Sequence, residues 1–343
     1  MRAVYRTVGR ALRELRGRRR PATVDVFERL GYLSPGQVSV ANYPVKPPAA
    51  VFNPGAVLEG RRLVIFPRII FDYYMYVSSI GMLTIDVEEL LSQGPPSRVE
   101  ARIILWPRER WEFLGCEDAR AHRAGGGYIL LYTGKGYYRA EPGVRHRDVL
   151  AAAFLGEDGS VRRKGFFRIA GRGGELETWS NKDSALLQPG SRESVMLTRP
   201  EVDGVMMGWR AVADLGELLI DADTLEPVLA PEEWEVKVGW STNPVRLPGG
   251  GFLVGWHGVL KGDLSYRNGF AVVDEEGRLE SVTDYLLAPR GLREEYGDRA
   301  LVIFGDGLVL YGDTLIWVGG VGDSSIGFFA APLDAVMEHM RRV

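Results

Sequence analysis

Five short apolar runs, each entered through a glycine or serine turn, constrain this fold more than any other feature. They read GRRLVIFPR (60–68), GGYILLYTG (126–134), SRESVMLTRP (191–200), GGFLVGWHG (250–258) and GDTLIWVGG (312–320). Their starts fall roughly 60 residues apart, the spacing of a repeated supersecondary unit. Each run is rich in β-branched, leucine and aromatic residues, as strands are, and beyond residue 50 helical periodicity nearly vanishes. A β-sandwich would not explain similar strand-plus-polar-tip units at even spacing, whereas four-stranded blades do. The expected fold is all-β: a five-bladed β-propeller over residues 49–335. A basic helix and lead-in segment (1–48) precede it, and a short tail (336–343) follows.

The 343 residues suffice for a large core, and the net charge of −3 gives no global pull toward nucleic acid. Cys116 is the only cysteine, which excludes an intramolecular disulfide and a cysteine-built metal cluster. No His, Cys or carboxylate spacing suggests a transition metal, and no phosphate loop or dinucleotide fingerprint is present, so no cofactor is expected. Without an apolar run of membrane-spanning length or a signal peptide, the expected location is cytoplasmic, away from any membrane. The first twenty residues carry eight arginines, with Val4, Val8, Leu12 and Leu15 at helical spacing before Pro21. Such a helix can lie on a membrane, bind an acidic partner or mediate contacts in a homo-oligomer; the plainer expectation is an apolar stripe packed on its own domain, with arginines in solvent.

A propeller draws the ends of its inner strands together at one axial mouth. Arg68, Asp118, Lys182, Asp183, Arg199, His257 and Asp323 lie near equivalent points of successive units. The stretch GCEDAR (115–120) places Glu117, Asp118 and Arg120 within four residues. It is either an ion pair at a loop or a pair of acids held for chemistry, and the repeat makes it one unit's contribution to a ring.

Several stretches resemble glycoside hydrolase family 130, the β-mannoside phosphorylases and related mannosidases. FNPGAV (52–57) is similar to the family's asparagine-proline opening, LVIFPR (63–68) to its arginine-ended strand and GCEDAR to its Gly-x-Glu-Asp-Pro-Arg signature. NKDSALLQP (181–189), LTRP (197–200), WHGV (256–259), YRNGFAVVD (266–274) and GGVGDSSIGFF (319–329) follow in the family's order. Ala119, Thr198 and Leu187 depart from the family's Pro, His and Phe, and KVGWSTNP (237–244) replaces a Gly-Pro-rich turn, with Trp240 a possible influence on substrate choice. The resemblance implies a five-bladed propeller acting as a glycosidase or glycosyltransferase, first as an inverting phosphorylase that releases mannose 1-phosphate. A β-mannoside hydrolase and a sugar-binding propeller without turnover are the alternatives.

Protonating the leaving oxygen takes one acid, and a hydrolase needs a second carboxylate for water. A phosphorylase replaces that second group with cations that hold inorganic phosphate, its co-substrate, beside an oligosaccharide or glycoside. By resemblance Asp118 is the proton donor, acting through a sugar hydroxyl. Asn53, Arg68, Glu117, Arg120, Asp183 and Asp323 would hold the sugar. Lys182, Arg147, Arg168, His257 and Tyr266 would hold phosphate, with Arg139, Arg145 and Arg163 as alternative arginines. Glu175 and Glu177 would keep a hydrolase possible. Trp106, Trp111, Trp209 and Trp240 offer sugar-stacking faces, although a buried core is the commoner place for tryptophan.

Overall fold

The computed structural model describes residues 2–140 and 143–343, and the side chains of all of these except 2, 3, 5 and 138–145. Strand accounts for 54% and helix for 11%, so the protein is all-β. Each apolar run found in the sequence lies within a strand: Arg62–Ile70, Gly127–Ala140, Glu193–Val202, Phe252–Leu260 and Thr314–Val321. Each pairs antiparallel with an earlier strand, namely Ala50–Glu59, Gly115–Ala124, Asn181–Leu186, Glu235–Trp240 and Ile303–Tyr311. The register repeats as well. Phe52 faces Arg68, Glu117 faces Thr133, Lys182 faces Arg199, Gly239 faces His257 and Phe304 faces Gly320.

Among the described residues these strands form four hydrogen-bonded sheets, of four, nine, eight and six strands, rather than five separate units. The nine-stranded sheet joins two sets of strands through one parallel pair, Ser78 with Gly115. Apolar side chains pack between the sheets. The main cluster runs from Ile129 and Leu150 through Met196 and Trp209 to Trp240 and Val254.

The boundaries expected at residues 49 and 335 are not structural ones. Glu28–Leu33 pairs with Ser325–Pro332 and covers the edge of the last sheet, which an unpaired strand would leave as an open template. Val38–Val40 pairs with Val99–Leu105, and Arg341–Arg342 pairs with Leu279–Val282. The N-terminal helix, Arg2–Glu14, ends before Pro21. It buries Val8 and Ala11 in the main cluster and leaves Arg6, Arg10 and Arg13 exposed, the plainer of the two expected arrangements. Beyond it Arg19 is buried, bonded through both terminal nitrogens to Glu235 at 2.6 and 2.7 Å. Among the described residues no helix is long and apolar enough to cross a membrane.

Candidate active site

The repeated register has a chemical consequence. Immediately after the Phe52, Glu117 and Lys182 pairs the first strands bulge, and Asn53, Asp118 and Asp183 occupy the bulges with φ of 43°, 53° and 53°. An extra residue in one strand bends it and re-aims its side chain. Left-handed backbone is costly for most L-residues and least so for Asn and Asp, whose side chains bond locally. The bulge geometry therefore favours these polar residue types where the chain converges. Asp323 is held differently, in the turn Val321–Ser324: Gly322 and Asp323 have φ of 58° and 51°, and the Ser324 amide donates to the Val321 carbonyl at 3.1 Å. Two successive positive φ values mark the hairpin turn that matches strand twist.

These residues line one pocket of about 230 Å³. Its acidic side is organised by Arg68, which donates to Glu117 Oε1 at 2.8 Å, to Asp118 Oδ1 at 3.2 Å and to Ser78 Oγ at 2.8 Å. Asn53 Nδ2 also donates to Asp118 Oδ1, at 2.9 Å, so both of these bonds fall on one carboxylate oxygen and leave Oδ2 for a ligand. Burial pushes the Glu117 carboxyl up. Burial likewise raises Asp323, to about 6.

The pocket is also lined by cations. Lys135, Lys182, Arg199 and Lys237 all line the pocket, together with His257 and Tyr266. Arg199 donates through Nε to Asp183 Oδ2 at 2.5 Å, while its Nη1 and Nη2 are buried with no partner. Gly239 makes room for it: a Cβ there would lie 2.6 Å from Arg199 Cδ and 2.9 Å from His257 Cε1. Burial opposes the charge of Asp183, but Arg199 and Arg120 outweigh it and hold the carboxyl well below the usual range. Burial also opposes the Lys182 charge, yet Asp148, 2.9 Å away, outweighs it and raises the pKa. For Lys237 burial prevails and lowers the pKa. The His257 ring is pushed far down by burial and is neutral; its Nδ1 meets Ser241 Oγ at 3.0 Å and its Nε2 is buried without a partner. It stacks on Tyr266 at 5.5 Å.

A buried guanidinium with two open nitrogens is costly unless something fills them. Its fork, flanked by three lysines, matches a tetrahedral oxyanion. Acids and an oxyanion cradle in one pocket can protonate a leaving oxygen while an anion attacks.

Of the residues expected at the site, Asn53, Arg68, Glu117, Asp118, Lys182, Asp183, His257, Tyr266 and Asp323 come together in this pocket. Three do not. Arg120 is buried behind it, with Nε on the Ser241 carbonyl at 2.6 Å and Nη1 on the Asp118 carbonyl at 3.0 Å. Its Nη2 lies 3.3 Å from Asp183 Oδ1 and 2.9 Å from Asp306 Oδ1, so it ties three strands together. Arg147 and Arg168 line a separate cavity with Glu175 and Glu177, and Arg168 pairs with Glu175 at 3.5 Å. Arg147 stands on the Gly143–Gly156 strand, third in its set, and Arg168 on Arg168–Gly171 of the eight-stranded sheet, paired with Leu219–Asp221. Arg163 bonds the Leu215 and Gly216 carbonyls, and the Arg139 and Arg145 side chains lie outside those described. Trp209 and Trp240 are core residues, Trp240 Nε1 donating to the Trp209 carbonyl at 2.9 Å.

Lys135, Lys237, Arg199, Arg299 and Tyr76 also line the pocket, and Asp306 meets Arg120 behind it. Arg199 was visible in the sequence as a repeat-equivalent of Arg68. Asp306, in the bulge of the last sheet, gave no signal beyond its glycine neighbours; burial raises its carboxyl well above the usual range.

The model of a family described as beta-1,4-mannooligosaccharide phosphorylase matches residues 17–342. No curated protein matches the chain. Among solved structures, a beta-1,2-mannobiose phosphorylase from Listeria innocua, in complex with beta-1,2-mannobiose, superposes with a TM-score of 0.67. It is 17% identical, over 90% of this chain and 96% of that one. A glycosyl hydrolase from Bacteroides ovatus gives 0.66 at 16% identity, over 96% of each chain. A mannose phosphorylase from Leishmania mexicana, in complex with phosphate ion, gives 0.55 at 14% identity, over 100% of this chain and 96% of that one. Identities this low speak to the fold.

Proposed function

Given that the chain belongs to glycoside hydrolase family 130, we propose that it cleaves β-mannosides with inorganic phosphate and releases mannose 1-phosphate with inversion. The observation that carries this reading is the cluster of cations that shares the pocket with Asp118, above all the two unpartnered nitrogens of Arg199. Sugar binding alone needs no such cluster. The expected hydrolytic carboxylates, Glu175 and Glu177, line a different cavity, which favours phosphate over water as the nucleophile.

On this reading phosphate sits between Arg199, Lys182, Lys135 and Lys237, with the His257 edge as a neutral contact. The terminal mannose lies against Asn53, Arg68, Glu117 and Asp323. A phosphate oxygen attacks the anomeric carbon as the bond to the leaving oxygen breaks. Asp118 supplies the proton, through a sugar hydroxyl, to that leaving oxygen. The proton lost by the attacking phosphate restores Asp118, so the step balances with mannose 1-phosphate and a shortened saccharide. Phosphate held in place competes with far more concentrated water because its position is fixed before reaction. The description covers glycoside phosphorylase and hydrolase chemistry; a glycosyltransferase in the wider sense draws no support from the relatives. Because the product is a charged sugar phosphate that membranes retain, the reading places the reaction in the cytoplasm.

We also read the sheets as five four-stranded blades around the pocket. The five-fold register and the single Ser78–Gly115 link within the nine-stranded sheet support this.

The test is incubation of β-linked manno-oligosaccharides with and without phosphate, followed by product identification. Mannose 1-phosphate formed only with phosphate is expected. Free mannose at equal rates in both would reject the proposal in favour of hydrolysis.

A further inference from the structure

Six cations line the pocket: Arg68, Lys135, Lys182, Arg199, Lys237 and Arg299. Five of them are buried or half-buried, and Arg299 alone is exposed. Arg68, Lys182 and Arg199 each meet a carboxylate, at 2.8, 2.9 and 2.5 Å, whereas Arg299 makes no ion pair among the described residues. Its guanidinium rests instead 5.0 Å from the centre of the Tyr266 ring. Lys237 Nζ lies 5.1 Å from the same ring, and His257 stacks on it. Tyr266 thus joins the exposed arginine to two of the groups read above as phosphate contacts. Backbone bonds fix this placement. The Arg299 amide donates to the Gly322 carbonyl at 3.1 Å, and the Tyr266 amide to the Leu301 carbonyl at 3.0 Å. A Cβ at position 297 would lie 2.6 Å from the Gly322 oxygen, so glycine there lets the segment press on the turn that carries Asp323. The charge of neighbouring Asp298 falls on Tyr73, Tyr76 and Asp323, while the ring contact of Arg299 is with Tyr266.

We infer that Arg299 is the residue that admits phosphate: it takes the anion where the pocket opens to solvent, over the Tyr266 ring, and passes it to the buried fork of Arg199. The inference rests on the reading of the pocket given above and adds a residue to it. Arg199 is fully buried and committed through Nε to Asp183, so it can hold an anion but cannot meet one in solvent. Exposed charge at the entrance of a cleft raises the rate at which an oppositely charged ligand arrives, by about 10–10³-fold, and salt screens the effect. The contact with Tyr266 leaves the N–H donors of Arg299 for the anion, because the ring attracts the cation through its face. The two arginines then make different demands. Admission needs a positive charge, which lysine also carries; the buried hold needs a fork, which lysine lacks.

The experiment measures kcat/KM for phosphate at saturating saccharide, over a series of ionic strengths, for the protein and its Arg299→Ala and Arg299→Lys variants. Arg299→Ala is expected to lower it about tenfold at low ionic strength and to flatten its fall with added salt. Its kcat at saturating phosphate and its saccharide KM should stay within about twofold, as for a substitution at an exposed position. Arg299→Lys should return the phosphate value to within about threefold of the original, because the charge is kept. A phosphate kcat/KM for Arg299→Ala within about twofold of the original at low ionic strength would overturn the inference. So would a fall of equal size in the saccharide value, which would make Arg299 a sugar contact, or a lysine variant as impaired as the alanine one. If no β-mannoside turns over, the phosphorylase reading fails, and calorimetric titration with inorganic phosphate judges Arg299 separately. A dissociation constant raised about tenfold by Arg299→Ala upholds its role, and an unchanged one overturns it.

Discussion

Replacing Arg199 by lysine separates phosphate binding from sugar binding. Arg199 Nε is committed to Asp183, and only Nη1 and Nη2 are open. A lysine keeps one positive charge and can meet Asp183, so the buried pair survives, but the fork is lost. Hydrogen bonds to charged groups are worth about 1.5–3 kcal/mol each. Two lost bonds, with partial replacement by the remaining lysines, give roughly 3 kcal/mol, or about a hundredfold in phosphate affinity at 1.4 kcal/mol per decade. The assay is initial-rate phosphorolysis with phosphate varied at saturating saccharide, then saccharide varied at saturating phosphate. The phosphate KM should rise about a hundredfold while kcat/KM for saccharide changes little. Phosphate at a hundred times its dissociation constant should stabilise the unsubstituted protein against denaturant by about 2.7 kcal/mol. The same concentration should stabilise the variant by under 1 kcal/mol, on the order of a single-site term near Kd. An equal fall in both kcat/KM values, or a phosphate KM within about threefold of the original, would refute the assignment, since a fork worth two charged bonds cannot vanish so quietly.

Further outcomes follow from the same geometry. Asp118→Asn should keep the fold and lose about 10²–10⁴-fold in turnover, because the amide cannot supply the proton; steady-state rates alongside an unfolding curve check this. Lys182→Ala should raise the phosphate KM more than the saccharide KM and leave the half-buried Asp148 without this partner, read by the same two-substrate assay. Arg120→Met should destabilise by about 3–5 kcal/mol, because Asp183 loses a buried partner and the inner strands lose their tie; denaturant titration measures it. Asp323, raised by burial to about 6, binds its proton more tightly folded than unfolded. Its contribution to stability is therefore greatest at low pH and is lost as pH rises from about 4 to about 6. Asp323→Asn should remove that slope, and identical slopes for both proteins would contradict the assignment.

The repeat was legible because strands of one type sit at one register, so their apolar runs and turns recur. Polar residues at the bulges were legible for the same reason: Asn53, Asp118 and Asp183 stand at equivalent positions because left-handed backbone admits few other side chains. The phosphate arginines were not. Arg147 and Arg168 sit in arginine-rich stretches, yet which strand ends meet the pocket depends on sheet order, and these two lie on strands that border a separate cavity. Lys135 and Lys237 lacked any local signal, since each stands alone near a glycine and acquires its role from neighbours on other strands. That Arg120 lies behind the pocket was not legible, because sequence adjacency to Asp118 does not say which way the side chain points. The terminal segments were set apart because two short pairing strands, Glu28–Leu33 and Arg341–Arg342, are too brief and too polar to show a strand pattern.

The central claim is that phosphate, and not water, attacks the anomeric carbon. Cleavage of a β-manno-oligosaccharide with phosphate labelled by ¹⁸O at every oxygen, in ordinary water, reads this directly by mass spectrometry. The account predicts mannose 1-phosphate that retains the complete label, its bridging oxygen included. Unlabelled free mannose as the first product, with phosphate left unchanged, would contradict it.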